Sequence, residues 1–264
     1  MGSPIHPPTS DANEPKPNIV LELFVRGVLG FPWSASMRFR WFSLSLGAVL
    51  PLYLLLEALA ETAGNARGGD SLSGGLSILN MATWGLASVF AGLWLSIAST
   101  YCLAILRDTA AGNDDIENWP DTIWIDWITE GFYVINPLLG SIVPGALLNW
   151  YFKTGGTTYW LLYGGSFLVM FPLMLLSVVE GQFPMKLLTL PVLASLLMAF
   201  PLWMVFYLET ALILGLAALA VASLTLSPIW SAVVIALVVV TTLVIYFRLL
   251  GRLAEYCTDV MPRA

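Results

Sequence analysis

Runs of about twenty or more apolar residues recur along the chain, and each is long enough to cross a ~30 Å hydrocarbon core as a helix. Lipid offers no partner to a bare backbone N–H or C=O, so segments of this kind must satisfy their hydrogen bonds internally. The fold class that follows is all-α: a polytopic helical membrane protein with about six transmembrane helices plus interfacial helices. Composition agrees. Of 264 residues 58% are hydrophobic and 11% charged, against roughly 25% charged in soluble domains. The formal charge of -6 argues against a nucleic-acid partner. For a membrane protein the placement of Lys and Arg carries more information than their sum.

Residues 1–18 are proline-rich and lack aromatics, so they cannot bury enough apolar surface to offset ordering and are expected to form a disordered cytoplasmic tail. Over residues 19–40, Phe and Trp alternate with Glu22, Arg26, Arg38 and Arg40, a mixture that suits the membrane interface. The transmembrane domain is expected over residues 41–264. Its first span is placed at Trp41 to Ala60 with a kink at Pro51, and its second at Leu76 to Leu106, about 46 Å long and therefore tilted.

Gly131 to Trp150 carries Pro137 and Pro144, so it either crosses under the shield of neighbouring helices or re-enters. Tyr159 to Val179 makes the fourth span. Leu187 to Leu226 reads as one long bent helix interrupted by Pro191, Pro201 and Glu209, and Ile229 to Leu250 is the last span. An N-terminus inside puts Lys16, Arg26, Arg38, Arg40, Arg107, Lys186, Arg248, Arg252 and Arg263 on the inner side, with Arg67 and Lys153 outside. That bias predicts cytoplasmic termini in a cytoplasmic membrane.

Between the second and third apolar runs lies the longest polar interval of the membrane domain, a cytoplasmic acidic and tryptophan-rich segment at 107–130. Asn118, Pro120 and Asp121 look like a helix start. Trp119 precedes that helix closely, and Trp124 and Trp127 share a face with Ile123 and Ile128, which predicts an amphipathic helix lying on the bilayer with its tryptophans inserted. Asn113, Asp114, Asp115 and Glu117 offer hard oxygens but lack the alternating spacing and glycine of a calcium loop, so a solvated acidic turn is expected rather than a metal site.

Tyr101, Arg107, Gly112, Asp114, Trp119, Pro120 and Asp126 together resemble the pattern of an uncharacterised family of prokaryotic polytopic membrane proteins, a domain of unknown function. The resemblance implies membrane location and brings no activity with it.

Ser88, Gly92, Ser96 and Thr100 recur every fourth residue, a small-residue stripe expected to pack against a neighbouring helix. Glu209, an ionisable group inside an apolar run, is the sharpest candidate for function: it lies on an ion or proton path, or at the interface of an overlong helix. Cys102 and Cys257 have no metal-ligand spacing, and the single histidine, His6, sits in the tail. With no Ser, His and acid set, no phosphate-binding glycine loop and no HExxH, no catalytic residue or cofactor is expected. The expected role is a non-enzymatic scaffold that engages lipid, other membrane proteins or further copies of itself, with a small transporter or channel built on Glu209 as the alternative.

Overall fold

A computed structural model describes residues 28–67, 78–113, 115–116, 119–120, 124–153 and 155–260. The described residues form one 3-10 turn, Phe31–Trp33, and seven α-helices without a strand: α1 (Arg38–Arg67), α2 (Ile78–Ala110), α3 (Trp124–Phe152), α4 (Thr157–Gly181), α5 (Leu190–Met198), α6 (Phe200–Ala222) and α7 (Pro228–Val260). All but α5 are long and apolar enough to span a bilayer. The chain is an integral membrane protein of the all-α polytopic class.

The last helix is the central one. α7 packs against α1, α2 and α6, while α3 and α4 form a hairpin that leans on α2. Alternating direction gathers Arg38, Arg40, Arg107, Lys186, Arg248 and Arg252 at one end of the bundle, with Arg67 and Lys153 at the other. These are called below the arginine-bearing end and the far end. Lys16, Arg26 and Arg263 lie outside the described residues, as do residues 1–18 and the first part of the segment expected at the interface.

Gly131 to Trp150 crosses fully as part of α3. Pro144 has no N–H and its ring opens the turn before it. There, the Gly145 N–H donates to Ser166 Oγ (3.0 Å), and that hydroxyl donates to the Ser141 carbonyl (2.7 Å). A side chain of α4 thus stitches the opened turn of α3. The clasp needs a close approach: a Cβ on Gly145 would lie 2.8 Å from the Leu162 carbonyl oxygen and 3.0 Å from the Tyr163 Cα.

Two expectations are corrected and a third is narrowed. The stretch Leu187 to Leu226 is not one bent helix: α5 and α6 are separated by a break at Ala199 (φ -106, ψ 31), and residues 223–227 leave the helix before α7. Pro201 explains the break, because it removes a donor and crowds the carbonyl four residues back, at Leu197. Residues 28–37 lie only partly at the surface, with Leu29 and Trp33 about half exposed. Val28, Phe31 and Met37 are buried in the protein core, with the 3-10 turn fixed by the Trp33 N–H donating to the Gly30 carbonyl.

Finally, residues 124–130 are no separate surface helix but the first turns of α3. Nothing at Glu130 or Gly131 stops the helix, and the face bearing Trp127 continues through buried Gly131, Val134 and Ser141 into the bundle. Residues 121–123 lie outside the described residues.

Candidate functional site

The arginine-bearing end holds most of the buried polar chemistry. α2 closes there on Gly112, whose φ of +83 is readily available only to glycine. The Gly112 N–H donates to the Thr109 carbonyl and the Asn113 N–H to that of Asp108, so two of the otherwise orphaned last carbonyls are capped. A Cβ at Gly112 would fall 3.0 Å from Glu255 Oε1, which brings the capping turn directly onto α7.

Into this turn α7 sends Arg248. Its side chain is buried: Nη1 donates to Thr109 Oγ1 at 2.9 Å and to the Asn113 carbonyl at 3.1 Å, while the guanidinium lies 4.6 Å from the centre of the Phe31 ring. One residue therefore joins three distant stretches: the segment before α1, the end of α2, and α7. One turn further on, Gly251 lets the backbones touch. A Cβ there would sit 2.6 Å from Thr109 Cβ and 2.9 Å from the Leu106 carbonyl oxygen. Buried Asp108 and the neighbouring Arg252 and Glu255 are all engaged in further interactions at this end.

Trp119 belongs to the same cluster. Arg40 lies over its ring at 3.7 Å and Tyr101 packs on it at 5.9 Å between ring centres. A cation held over indole is attracted by the ring's negative face. The expected insertion of Trp119 into lipid is thus replaced by docking on protein, because its neighbours supply both an aromatic and a cation. Trp127 is partly buried on α3 and also interacts within the chain, and the side chain of Trp124 lies outside what is described.

A second group lies beside the first. Arg107 Nη1 donates to Glu130 Oε1 at 2.6 Å, and Tyr133 Oη donates to the Gln182 carbonyl at 3.0 Å. Arg107, Tyr133, Val179 and Gln182 border a polar cavity of about 470 Å³ between the ends of α2 and α4 and the flank of α3.

The small-residue stripe divides in two. Ser96 packs on Gly131 of α3, where a Cβ would lie 3.2 Å from the Ser96 hydroxyl oxygen, and Thr100 is buried. Toward the far end α3 draws away: a Cβ on Gly92 would meet nothing within 4 Å, and Ser88 borders an apolar groove of about 200 Å³ with Pro51, Leu55, Trp84, Trp94 and Val239. The stripe is a helix contact over half its length only.

Glu209 is the tenth residue of α6, about 14 Å from its start at 1.5 Å per residue, which is mid-span rather than interfacial. It is partly buried, flanking the stripe of Trp203, Phe206 and Thr210 that faces the bundle. Among the described residues its carboxylate meets no cation and no hydrogen-bond donor. Neither cavity above includes it, and Asp114, Glu117 and Asn118 of the acidic turn lie outside the described residues.

Sequence reasoning missed the Arg248 cluster. The available signal was an arginine within the final apolar helix followed by a glycine three residues on: a charge that must find partners, beside a point of close backbone approach. No family model matches the chain, and neither a curated protein nor a solved structure proves similar to it.

Proposed function

We propose that the chain is a non-enzymatic membrane scaffold that recruits lipid or partner helices sideways through its far half. The observation that carries this reading is the state of α6 beyond Thr210. Leu212, Leu216 and Leu219 share one face and are 62%, 58% and 68% exposed, Leu214 on nearly the opposite side is 37% exposed, and no residue from 211 to 222 is buried, so this half-helix has little protein against it. Helix pairing in lipid rests on close packing rather than on hydrophobicity. An apolar helix held to its own bundle by one half leaves the other half to a neighbour.

The charge bias puts the arginine-bearing end on the cytoplasmic side of a cytoplasmic membrane, and the resemblance around Arg107 to Trp127 is in keeping with a prokaryotic inner membrane. Cysteines introduced at Gly69 and Thr157 should be labelled from outside, and those at Asn113 and Gly181 should not; the native thiols Cys102 and Cys257 are buried and stay silent. The reverse labelling pattern inverts the topology. For the scaffold itself, mild solubilisation should recover the protein with bound lipid, a second copy or a partner chain, and Leu216→Trp should weaken that association without lowering stability. A protein that runs alone and lipid-free refutes the reading.

Glu209 favours a second reading, a small transporter or channel, because an ionisable side chain at mid-span is costly to keep without a task. On that reading Glu209→Gln abolishes proton- or cation-driven flux in reconstituted vesicles while abundance holds. Wild-type vesicles without flux under proton and cation gradients eliminate it for those ions.

A further inference from the structure

The polar cavity beside Arg107 is built at headgroup depth. Arg107 lies three residues before the end of α2 and Val179 two before the end of α4, about 4.5 and 3 Å from the helix ends. α2 alone, with 33 residues, measures about 50 Å, so its ends reach past a ~30 Å hydrocarbon core into the polar zone. The cavity is thus wet enough for a charged ligand and close enough to lipid to receive one laterally. Phe132 and Phe183, next in sequence to the lining residues Tyr133 and Gln182, are half exposed and provide an apolar flank.

Both signs of charge stand at this cavity, one in its lining and one on Glu130, the ion-pair partner of the lining Arg107. The positive pole is Arg107, which uses only Nη1 toward Glu130 among the described residues and keeps Nη2 and Nε for another acceptor. The stem of Lys186 folds close to Gly181 at the same helix end, with a Cβ on Gly181 falling 2.9 Å from Lys186 Cδ. The negative pole is the second oxygen of Glu130, reinforced by the last turn of α4, whose carbonyls carry the negative end of the helix dipole. Gln182, held with φ of +48 at the end of that helix, adds an amide able to donate or accept.

The geometry points to a binding site for a zwitterionic aminophospholipid headgroup, with the phosphate on Arg107 and the primary ammonium on Glu130 and the C-terminal end of α4. A purely anionic headgroup would bring its charge against the Glu130 carboxylate and the carbonyl end of α4. A trimethylammonium group has no N–H for those oxygens and favours a cage of aromatic faces, of which the lining supplies only Tyr133 among the described residues. A primary ammonium instead has three donors for the acceptors present.

The site is distinct from the bare face of α6, and loss of association there leaves this affinity unchanged. The test uses the full chain in detergent micelles doped with one lipid at a time, with binding read by native mass spectrometry. Phosphatidylethanolamine should bind about tenfold more tightly than phosphatidylglycerol or phosphatidylcholine, a difference typical of one charge-assisted hydrogen bond. Arg107→Gln should weaken phosphatidylethanolamine binding about tenfold, and Glu130→Gln should remove the preference over phosphatidylglycerol.

Both side chains are partly exposed, at 45% and 22%, and pairs of this kind contribute little to stability, so the variants are expected to fold. A measurement on the unaltered protein stands beside them. Soluble phosphoethanolamine should displace the lipid where inorganic phosphate at the same concentration does not. Equal affinity for the three lipids, or an Arg107→Gln variant that binds as well as the parent, overturns the assignment. Displacement by inorganic phosphate alone also overturns it, and makes the cavity a site for a free anion.

Discussion

Large side chains fill the half of the bundle toward the arginine-bearing end: Trp203, Phe206, Phe247, Met37 and Leu103 are fully buried there, and Phe171 stacks on Tyr246 at 5.9 Å. Toward the far end the buried positions include Ala58 of α1, Ala87 of α2 and Ala232 and Ala236 of α7, while Trp150, Trp160 and Leu219 lie open. The two halves differ in how their apolar faces are joined. Interlocking large side chains fix one arrangement of helices, whereas alanine contacts bring three helices together and leave the others free to diverge. In lipid the apolar medium is the same inside and outside the protein, so shape and hydrogen bonding, rather than apolar area, set where the bundle is firm.

The sharpest way to break the firm half is Gly251→Val, whose side chain collides with Thr109 and the Leu106 carbonyl. A loss of about 3 kcal/mol is expected, read as a collapse of the thermal midpoint in detergent. A midpoint near that of the parent contradicts the close crossing of α2 and α7. Trp203→Ala comes next, at about 2 to 3 kcal/mol, because lipid cannot fill the space left inside the bundle and the cavity cost remains. If it is no worse than Leu216→Ala, the two halves do not differ in packing.

Ser166→Ala probes the far half at the polar clasp across Pro144. Leaving the Gly145 N–H and the Ser141 carbonyl unbridged should cost about 1 to 2 kcal/mol, and hydrogen exchange should accelerate at Gly145 while that at Leu250 stays slow. Equal acceleration at both sites means that the halves unfold as one unit. Leu216→Ala is the smallest change, within about 0.5 kcal/mol, since an exposed position has no packing to lose. A larger drop in denaturant titration shows that α6 is packed along its full length.

This contrast explains what could be read in advance. Apolar length and proline placement located all six spans, and Pro144 correctly announced a turn needing outside help, although not that Ser166 would provide it. The break at Ala199 was treated as a bend because Pro201 alone does not tell a kinked helix from two helices. Which half would open was not legible, for lipid-facing and protein-facing positions are both apolar and leave almost no periodic signal in α6. The Arg107–Glu130 pair and the Arg248 cluster depend on residues brought together from separate helices. For Arg248 the partners lie 135 and 139 positions apart, beyond the reach of any local pattern.

That separation also sets an order of events in time. The helix that fills the centre is synthesised after α1 to α6, so α1 and α2 enter the membrane with their mutual core incomplete and the capping turn at Gly112 without its arginine. At ~5–20 residues per second the ribosome needs on the order of ten seconds to travel from Asn113 to Arg248. Throughout that interval the Thr109 hydroxyl and the Asn113 carbonyl must be served by water or headgroups at the membrane edge. The arrival of α7 displaces those partners, and only then does the bundle close around its final strut.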